Sequence, residues 1–178
     1  MKIAIISDVH NNTTNLGKIL EYCKKNKIGT IICPGDLSNM ETLDFLSDNF
    51  SGIIHYTPGN ADQDQMRIDK LPDKYKNVSV HKEFGTLVVK NKNSSKHVAF
   101  VHFPDIAKKL CAPGKYDYVF YGHTHKPWME TINNCIMLNP GTAAGIFYPP
   151  TFAVWDTEKN SFELIRVHDL DKTKGPAE

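Results

Sequence analysis

The first sixty residues alternate between short apolar runs and amphipathic stretches. The run of four apolar residues after Lys2, which ends at Ile6, is unbroken and predicts a strand buried on both faces. Two further apolar runs predict strands over residues 30–33 and 52–57. Apolar residues at helical spacing between these runs predict one helix that begins at Thr13–Thr14 and another over residues 41–49. This order predicts parallel strands joined by right-handed crossovers.

After residue 75 the pattern changes to short strands separated by polar turns. These strands are predicted over residues 78–80, 86–90, 98–102, 116–121, 135–138, 152–156 and 162–167. Two more helices are predicted over residues 62–70 and 105–110. About ten strands are too many for a single sheet over one core, so we predict an α/β fold with two sheets packed face to face and helices outside.

Length and composition narrow the classes of protein. A chain of 178 residues suits one globular domain over residues 1–168, followed by a loosely held charged tail over residues 169–178. The 21 basic and 20 acidic residues give no charge excess that favours nucleic acid or an anionic membrane. The four cysteines form no CxxC pair, and no 18-residue apolar span occurs, so we expect a cytoplasmic protein without a membrane partner.

Polar side chains with metal-binding chemistry lie at or just after the ends of five of the predicted strands. They are Asp8, His10, Asp36, Asn60, His102, His123 and His125. Ligands gather outside the carboxyl ends of strands in a largely parallel sheet, so convergence of these residues would form one site. Single members have simpler explanations, because Asp8 or Asn12 could cap a helix and His123-Thr124-His125 could be a zinc or copper clip on an edge strand.

Seven ligands exceed what one ion normally takes from a protein. Two divalent ions that share a bridging carboxylate would use all seven, and Mn²⁺ is the expected metal, with iron, zinc, cobalt, nickel or magnesium as alternatives. Two aspartates against two such ions leave a charge of about +2, which a bridging hydroxide lowers by one. This positive field suits a phosphate ester that the hydroxide attacks in line.

These residues together resemble the signature of the calcineurin-like metallophosphoesterases. The motifs are Asp8-x-His10, Gly35-Asp36, Gly59-Asn60, His102 and Gly122-His123-Thr124-His125. The compact length and the segment Asn139-Pro140-Gly141-Thr142 resemble the small single-domain YfcE-like phosphodiesterases of bacteria and archaea. This resemblance implies a four-layer α/β/β/α sandwich and a phosphodiesterase or phosphatase activity.

The resemblance also implies which residues share each metal ion. The first set is Asp8, His10, Asp36 and His125, and the second is Asp36, Asn60, His102 and His123. Asp36 is then the bridge, and Asn60 also touches the phosphate. The chain departs from the family pattern at three positions. Larger members have a histidine where this chain has Ala61, Asn39 replaces an aspartate, and His102 is followed by Phe103 and Pro104. Asp62 is a candidate substitute for the missing acid.

The expected partner is a small phosphate ester, with a nucleotide or cyclic nucleotide among the candidates. A nuclease would need a basic stripe or an added domain, and the lysines here are scattered. A non-catalytic protein-binding scaffold is the alternative from another class, since a retromer subunit shares this fold. A homo-oligomer is also an open alternative. Aromatic residues such as Phe103 and Phe147 would either stack on a substrate base or pack internally.

Overall fold

The structure is a computed structural model that describes residues 1–62, 74–91 and 94–171. Its first sheet has six strands in the order β11-β10-β1-β2-β3-β4. The strands are β1 (Lys2–Ile5), β2 (Thr30–Cys33), β3 (Ile53–Tyr56), β4 (Val78–Val80), β10 (Thr151–Asp156) and β11 (Ser161–Arg166). Strands β1 to β4 are parallel, and the β10–β11 hairpin joins β1 antiparallel.

The second sheet has five strands in the order β5-β6-β7-β9-β8. Its strands are β5 (Gly85–Lys90), β6 (Ser95–Phe100), β7 (Tyr118–Phe120), β8 (Trp128–Ile132) and β9 (Cys135–Asn139). Strands β6, β7 and β9 are parallel, whereas β5 and β8 are antiparallel edge strands. Among the described residues, the α-helices are α1 (Thr13–Lys25), α2 (Met40–Asn49) and α3 (Pro104–Cys111), and a short 3-10 helix spans Val167–Asp169.

The two sheets pack face to face and the helices cover their outer faces. In β1, Ile3 and Ile5 point into the core between the sheets, where Trp155 is also buried, whereas Ala4 and the next residue after the strand, Ile6, face the core under α1 and α2. Successive side chains of a strand point to opposite faces, so a strand with an apolar core on each side is apolar throughout. Helix α3 covers the second sheet through a third cluster. The predicted four-layer α/β fold is confirmed.

Several predicted boundaries need correction. Strand β8 was not predicted, because its exposed Trp128 and Met129 give it no regular alternation of apolar and polar residues. The predicted strand over 98–102 ends at Phe100, so that His102 lies beyond it. The predicted helix over 62–70 falls outside the described residues apart from Asp62, as do residues 172–178 of the predicted tail. Within the described part of the chain, no helix is long and apolar enough to cross a membrane.

Candidate metal centre

Seven polar side chains converge where the carboxyl ends of parallel strands from both sheets meet. Turns after β1, β2 and β3 carry the residues from the first sheet, which are Asp8, His10, Asp36 and Asn60. Segments after β6 and β7 carry His102, His123 and His125 from the second sheet. Backbone hydrogen bonds tie the turns together, since the N–H groups of Val9 and His10 both donate to the Asp36 carbonyl. The site therefore depends on both sheets.

The first group of side chains surrounds the Asp8 carboxylate. Its Oδ1 lies 3.3 Å from Nε2 of His125 and 3.9 Å from Nε2 of His10. The two imidazole Nε2 atoms lie 3.1 Å apart. Oδ2 of Asp36 closes the group at 3.6 Å from Nε2 of His10. Asp8, His10 and His125 form one of two described groups that could hold a metal ion.

The second group shares Asp36 with the first. The same Oδ2 atom of Asp36 lies 3.3 Å from Nε2 of His102. Oδ1 of Asn60 lies 3.1 Å from Nε2 of His102 and 2.9 Å from Nδ1 of His123. Asp8, Asp36 and His102 form the other described group that could hold a metal ion. The predicted division into two sets around Asp36 is therefore compatible with these distances.

The orientation of the imidazoles fits a cation. Nδ1 of His102 lies 2.8 Å from the Pro34 carbonyl, and Nδ1 of His125 lies 3.2 Å from the Ile146 carbonyl. A carbonyl oxygen only accepts, so both Nδ1 atoms carry the proton and a neutral ring presents its Nε2 lone pair to the centre. In that neutral form, Nε2 of His102 faces oxygens of Asp36 and Asn60, and Nε2 of His125 faces an oxygen of Asp8, an arrangement that a divalent cation would satisfy.

The carboxylates and imidazoles of the centre shift one another's pKa values. Burial raises the pKa of Asp36, but its interactions with His102, with the Ala61 N–H and with His10 together outweigh burial and lower the pKa overall. Burial lowers the pKa of His102, but Asp36 raises it overall. The hydrogen bond with Asp8 is the main cause that raises the pKa of His125. Each shift favours charge on its group, as expected where opposite charges are held close together.

Five of the seven residues have left-handed backbone conformations. They are Asp8, His10, Asp36, His123 and His125, with φ between 42° and 69°. Such conformations cost of order 1–3 kcal/mol for a residue other than glycine and cluster at functional sites. Two glycines of the motifs are required by packing, because a Cβ at Gly59 would overlap Oδ1 of Asp36 and one at Gly122 would overlap the Ser7 hydroxyl.

Asp62 is completely buried behind the centre. Its Oδ2 accepts the N–H groups of Asp36 and Gly59, both at 2.8 Å, and its Oδ1 accepts the N–H of Ser38 at 2.6 Å. Burial raises the pKa of Asp62, although these hydrogen bonds oppose it. The carboxylate thus joins the turn that carries Asp36 to the turn that carries Asn60. This geometry favours a positioning role, and the predicted role as an acid stays a prediction.

The structure also places the three departures from the family pattern. The N–H of Ala61 donates to Oδ1 of Asp36 at 2.9 Å. Asn39 caps α2, because its side chain accepts the N–H of Thr42 at 2.9 Å. The Phe103 ring packs against His102 and His123, with centroids 5.0 and 5.1 Å apart. Position 39 therefore serves the helix, and position 103 places an aromatic ring beside the centre.

Sequence reasoning missed the supports behind the ligand turns. Asn139 donates from Nδ2 to the Gly122 carbonyl at 2.8 Å, and Thr142 donates from its hydroxyl to the Asp8 carbonyl at 2.9 Å. Both residues lie in the segment Asn139-Pro140-Gly141-Thr142, which resembles a motif of the small phosphodiesterases. The polar side chains of this segment were the only sequence feature that could have indicated a supporting role. The contribution of Ile146, which acts through its backbone carbonyl, leaves no signal in the sequence.

Comparisons with known proteins agree with this geometry. The family model of the calcineurin-like phosphoesterase superfamily domain matches residues 1–160. The phosphodiesterase MJ0936 of Methanocaldococcus jannaschii is 26% identical over 166 residues, which are 93% of this chain and 98% of the relative. These matches confirm the resemblance that the motifs indicate.

Solved structures share the fold. That of an archaeal phosphodiesterase matches with a TM-score of 0.79 and 27% identity, and the match covers 93% of this chain and 99% of the other. YfcE, a phosphoesterase from E. coli, matches with a TM-score of 0.66 and 17% identity over 94% of this chain and all of the other. At that identity, the likeness to YfcE shows the fold alone.

Proposed function

The chain belongs to the calcineurin-like phosphoesterase superfamily, and we propose that it is a phosphodiesterase that uses two divalent metal ions, with Mn²⁺ as the expected metal. The first ion would be held by Asp8, His10, Asp36 and His125, and the second by Asp36, Asn60, His102 and His123. When bound, the two ions would lower the pKa of a shared water molecule, align it with the scissile bond and offset charge on the phosphoryl oxygens.

One observation carries this proposal. Oδ2 of Asp36 lies 3.6 Å from Nε2 of His10 and 3.3 Å from Nε2 of His102, so one carboxylate oxygen faces imidazoles of both groups. A site for one ion has no need of a carboxylate between two ligand sets. A shared carboxylate is the arrangement expected of a two-metal site that acts on phosphate esters.

Asn60 is the residue we expect to contact the phosphate directly. Its Oδ1 atom already faces two imidazoles, at 3.1 Å from His102 and 2.9 Å from His123. The amide Nδ2 is then left to donate to a phosphoryl oxygen, and Asn60 is exposed at the rim of the centre. The side chain of Ala61 supplies no proton, so the leaving group departs without a protein acid at that position.

The test joins metal analysis to substrate screening. Protein stripped by a chelator and reloaded with Mn²⁺ should contain close to two ions per chain and hydrolyse bis(4-nitrophenyl) phosphate. The panel also includes 4-nitrophenyl phosphate, mononucleotides and cyclic nucleotides. Expected behaviour is loss of bound metal and activity in His123→Ala. The matched control is His97→Ala, because His97 is also exposed and is not part of either ligand group.

Three results would contradict the proposal in different ways. Failure to bind any divalent ion would reject the metal centre itself. Binding of two ions without hydrolysis of any ester would instead support the non-catalytic scaffold. Binding of a single ion with full activity would reject the shared role of Asp36.

A further inference from the structure

The residue that follows Ile146 has two unusual properties. Phe147 is 88% exposed, although large apolar side chains are normally buried. Its φ of 65° lies in the left-handed region, which is a strained outlier for a bulky aromatic residue. Burial of the ring does not explain this conformation, because most of the side chain is exposed to solvent. Strain that persists at an exposed position is expected where it serves a function.

The ring lies beside the metal centre. Its centroid is 5.5 Å from that of His125, and the two rings are tilted by 48°. On the other side of the centre, the Phe103 ring lies 5.1 Å from the His123 ring. Each ligand group therefore has one aromatic ring at its edge. A phosphodiester carries two ester substituents, so a phosphate held at the centre would direct these groups towards the surfaces on which the two rings lie.

The segment that carries Phe147 is fastened to the centre. The Ala144 N–H donates to the Asp8 carbonyl at 3.0 Å, and the Ala144 carbonyl accepts Nδ2 of Asn12 at 2.9 Å. Nδ1 of His125 lies 3.2 Å from the Ile146 carbonyl. These contacts involve the residues just before Phe147 and fix the backbone that carries its ring relative to the first ligand group. A ring on a backbone that is already fixed loses only its own side-chain freedom when a ligand stacks on it.

A cavity adjoins the same ring. It has a volume of about 520 Å³ and is lined by residues that include Asn12, Phe147 and Tyr148. Sites for small molecules commonly have volumes of roughly 300–1,000 Å³. The cavity is therefore large enough for an aryl or nucleobase group, and Phe147 and Tyr148 in its lining offer π faces for stacking.

We propose that Phe147 is a specificity-determining residue whose ring stacks on an aryl or nucleobase substituent of the phosphodiester. This inference rests on the proposed function, because it assumes that the phosphate binds at the metal centre. The preferred substrates are then diesters in which one ester group is a nucleoside or an aryl alcohol. Simple dialkyl diesters lack a flat group for the ring and should bind more weakly.

The test uses two diesters with the same leaving group. Thymidine 5′-(4-nitrophenyl) phosphate and methyl 4-nitrophenyl phosphate differ only in the substituent that remains on the phosphate. Stacking on an aromatic side chain is worth about 1–3 kcal/mol per base, so Phe147→Leu should lower the preference for the thymidine ester about 5- to 150-fold. Most of the change should appear in KM. Phe147→Tyr, which keeps the ring, should restore the preference.

A control variant and a binding measurement separate the possible results. Phe84→Leu makes the same chemical change at an exposed phenylalanine among residues of β5 and β6, and it should keep the preference of the parent protein. Binding of thymidine 5′-phosphate and of methyl phosphate to the Mn²⁺-loaded protein is measured by calorimetry. If the parent hydrolyses neither ester, the proposed function fails, and the calorimetric ratio in the parent and in Phe147→Leu still decides the role of Phe147.

Three results would overturn the inference. An equal loss of activity on both esters in Phe147→Leu would show a structural role. An unchanged ratio of the two affinities would show that the ring does not touch the substituent. A change from oligomer to monomer in analytical ultracentrifugation, with the ratio intact, would show instead that Phe147 contacts a second copy of the chain.

Discussion

Replacement of Asp62 by asparagine separates a positioning role from a role as general acid. The carboxylate accepts three backbone N–H groups from the two turns that carry Asp36 and Asn60. Asparagine has one oxygen in place of two. If that oxygen takes the place of Oδ2, it keeps the bonds from Asp36 and Gly59. The amide nitrogen then faces the buried N–H of Ser38, and that bond is lost.

The magnitude follows from these contacts. Leaving a buried donor unpaired costs about 1–3 kcal/mol, and the two remaining bonds weaken because the acceptor is no longer charged. The neutral side chain recovers part of this loss, since it avoids the cost of burying a charge. We therefore expect Asp62→Asn to lower the free energy of unfolding of the metal-free protein by about 2–4 kcal/mol. For a chain of this size, that corresponds to a Tm lower by roughly 5–15 °C.

Metal binding should weaken together with stability. Partners that orient metal ligands typically contribute 10- to 100-fold to metal affinity, so Asp62→Asn should weaken Mn²⁺ binding by about that factor in calorimetry. Activity at limiting Mn²⁺ should fall on nitrophenyl and alkyl diesters alike. Asp117→Asn is the matched control. Asp117 also accepts a backbone N–H, from His97 at 2.8 Å, but lies just before β7, at the opposite end of that strand from the turn that carries His123.

A different pattern would refute the positioning argument. If Asp62 acts as the general acid, Asp62→Asn should lose mainly its activity on alkyl esters and flatten the basic limb of the pH profile. Its Tm and its Mn²⁺ affinity would then match those of the parent. Unchanged stability with a selective loss on poor leaving groups would thus assign Asp62 to proton transfer.

Three further changes test the centre. Asp36→Ala should reduce the metal content from two ions to one or fewer, as measured by mass spectrometry. It should lower activity at least about 100-fold, because loss of a shared ligand should do more damage than loss of a residue that only orients a ligand. Full activity would reject the shared carboxylate. Ala61→His should raise kcat on alkyl diesters relative to nitrophenyl diesters, by up to about 10²–10⁴-fold if the imidazole reaches the leaving oxygen. An equal change on both kinds of ester would contradict the view that the parent protein lacks a general acid. Gly122→Ala introduces a Cβ that overlaps the Ser7 hydroxyl in the first ligand turn. It should lower the free energy of unfolding in urea by about 1–3 kcal/mol and should also weaken metal binding. Gly29→Ala is the control, because nothing lies within 4 Å of the added Cβ, and it should change neither the stability nor the metal affinity. Equal effects of Gly122→Ala and Gly29→Ala would contradict the packing argument.

Most of the parallel strands could be predicted because both of their faces are buried. The β1 strand shows why, since its alternate residues enter the core between the sheets and the core under the helices. The missed strand β8 has no such constraint. It is an edge strand whose Trp128 side chain is 50% exposed, and only the turn that follows it indicated a strand here. Asn133 and Asn134 both have positive φ and join β8 to β9 as a two-residue hairpin loop.

The candidate ligands could be predicted for a related reason. Asp8 and Asp36 each follow an apolar run closely, and strand ends in a parallel sheet converge in space. The supports behind them could not be predicted from local pattern. The carboxylate of Asp62 contacts backbone N–H groups 24 and 26 residues earlier in the chain, and such a contact depends on how two turns meet in the folded protein. Backbone acceptors such as the Pro34 carbonyl depend on no side chain at all.

The cost of the centre links its chemistry to the stability of the whole fold. Five candidate ligand residues in left-handed conformations, at about 1 kcal/mol each, would together cost about 5 kcal/mol. A typical domain has only about 5–15 kcal/mol of net stability, so the strain is of the same order as the total. The surrounding structure must hold these turns against that strain, which explains why Asp62 and Thr142 are completely buried and bond to the backbone of the turns. Metal binding would offset the strain further, because an ion that binds only the folded state stabilises that state.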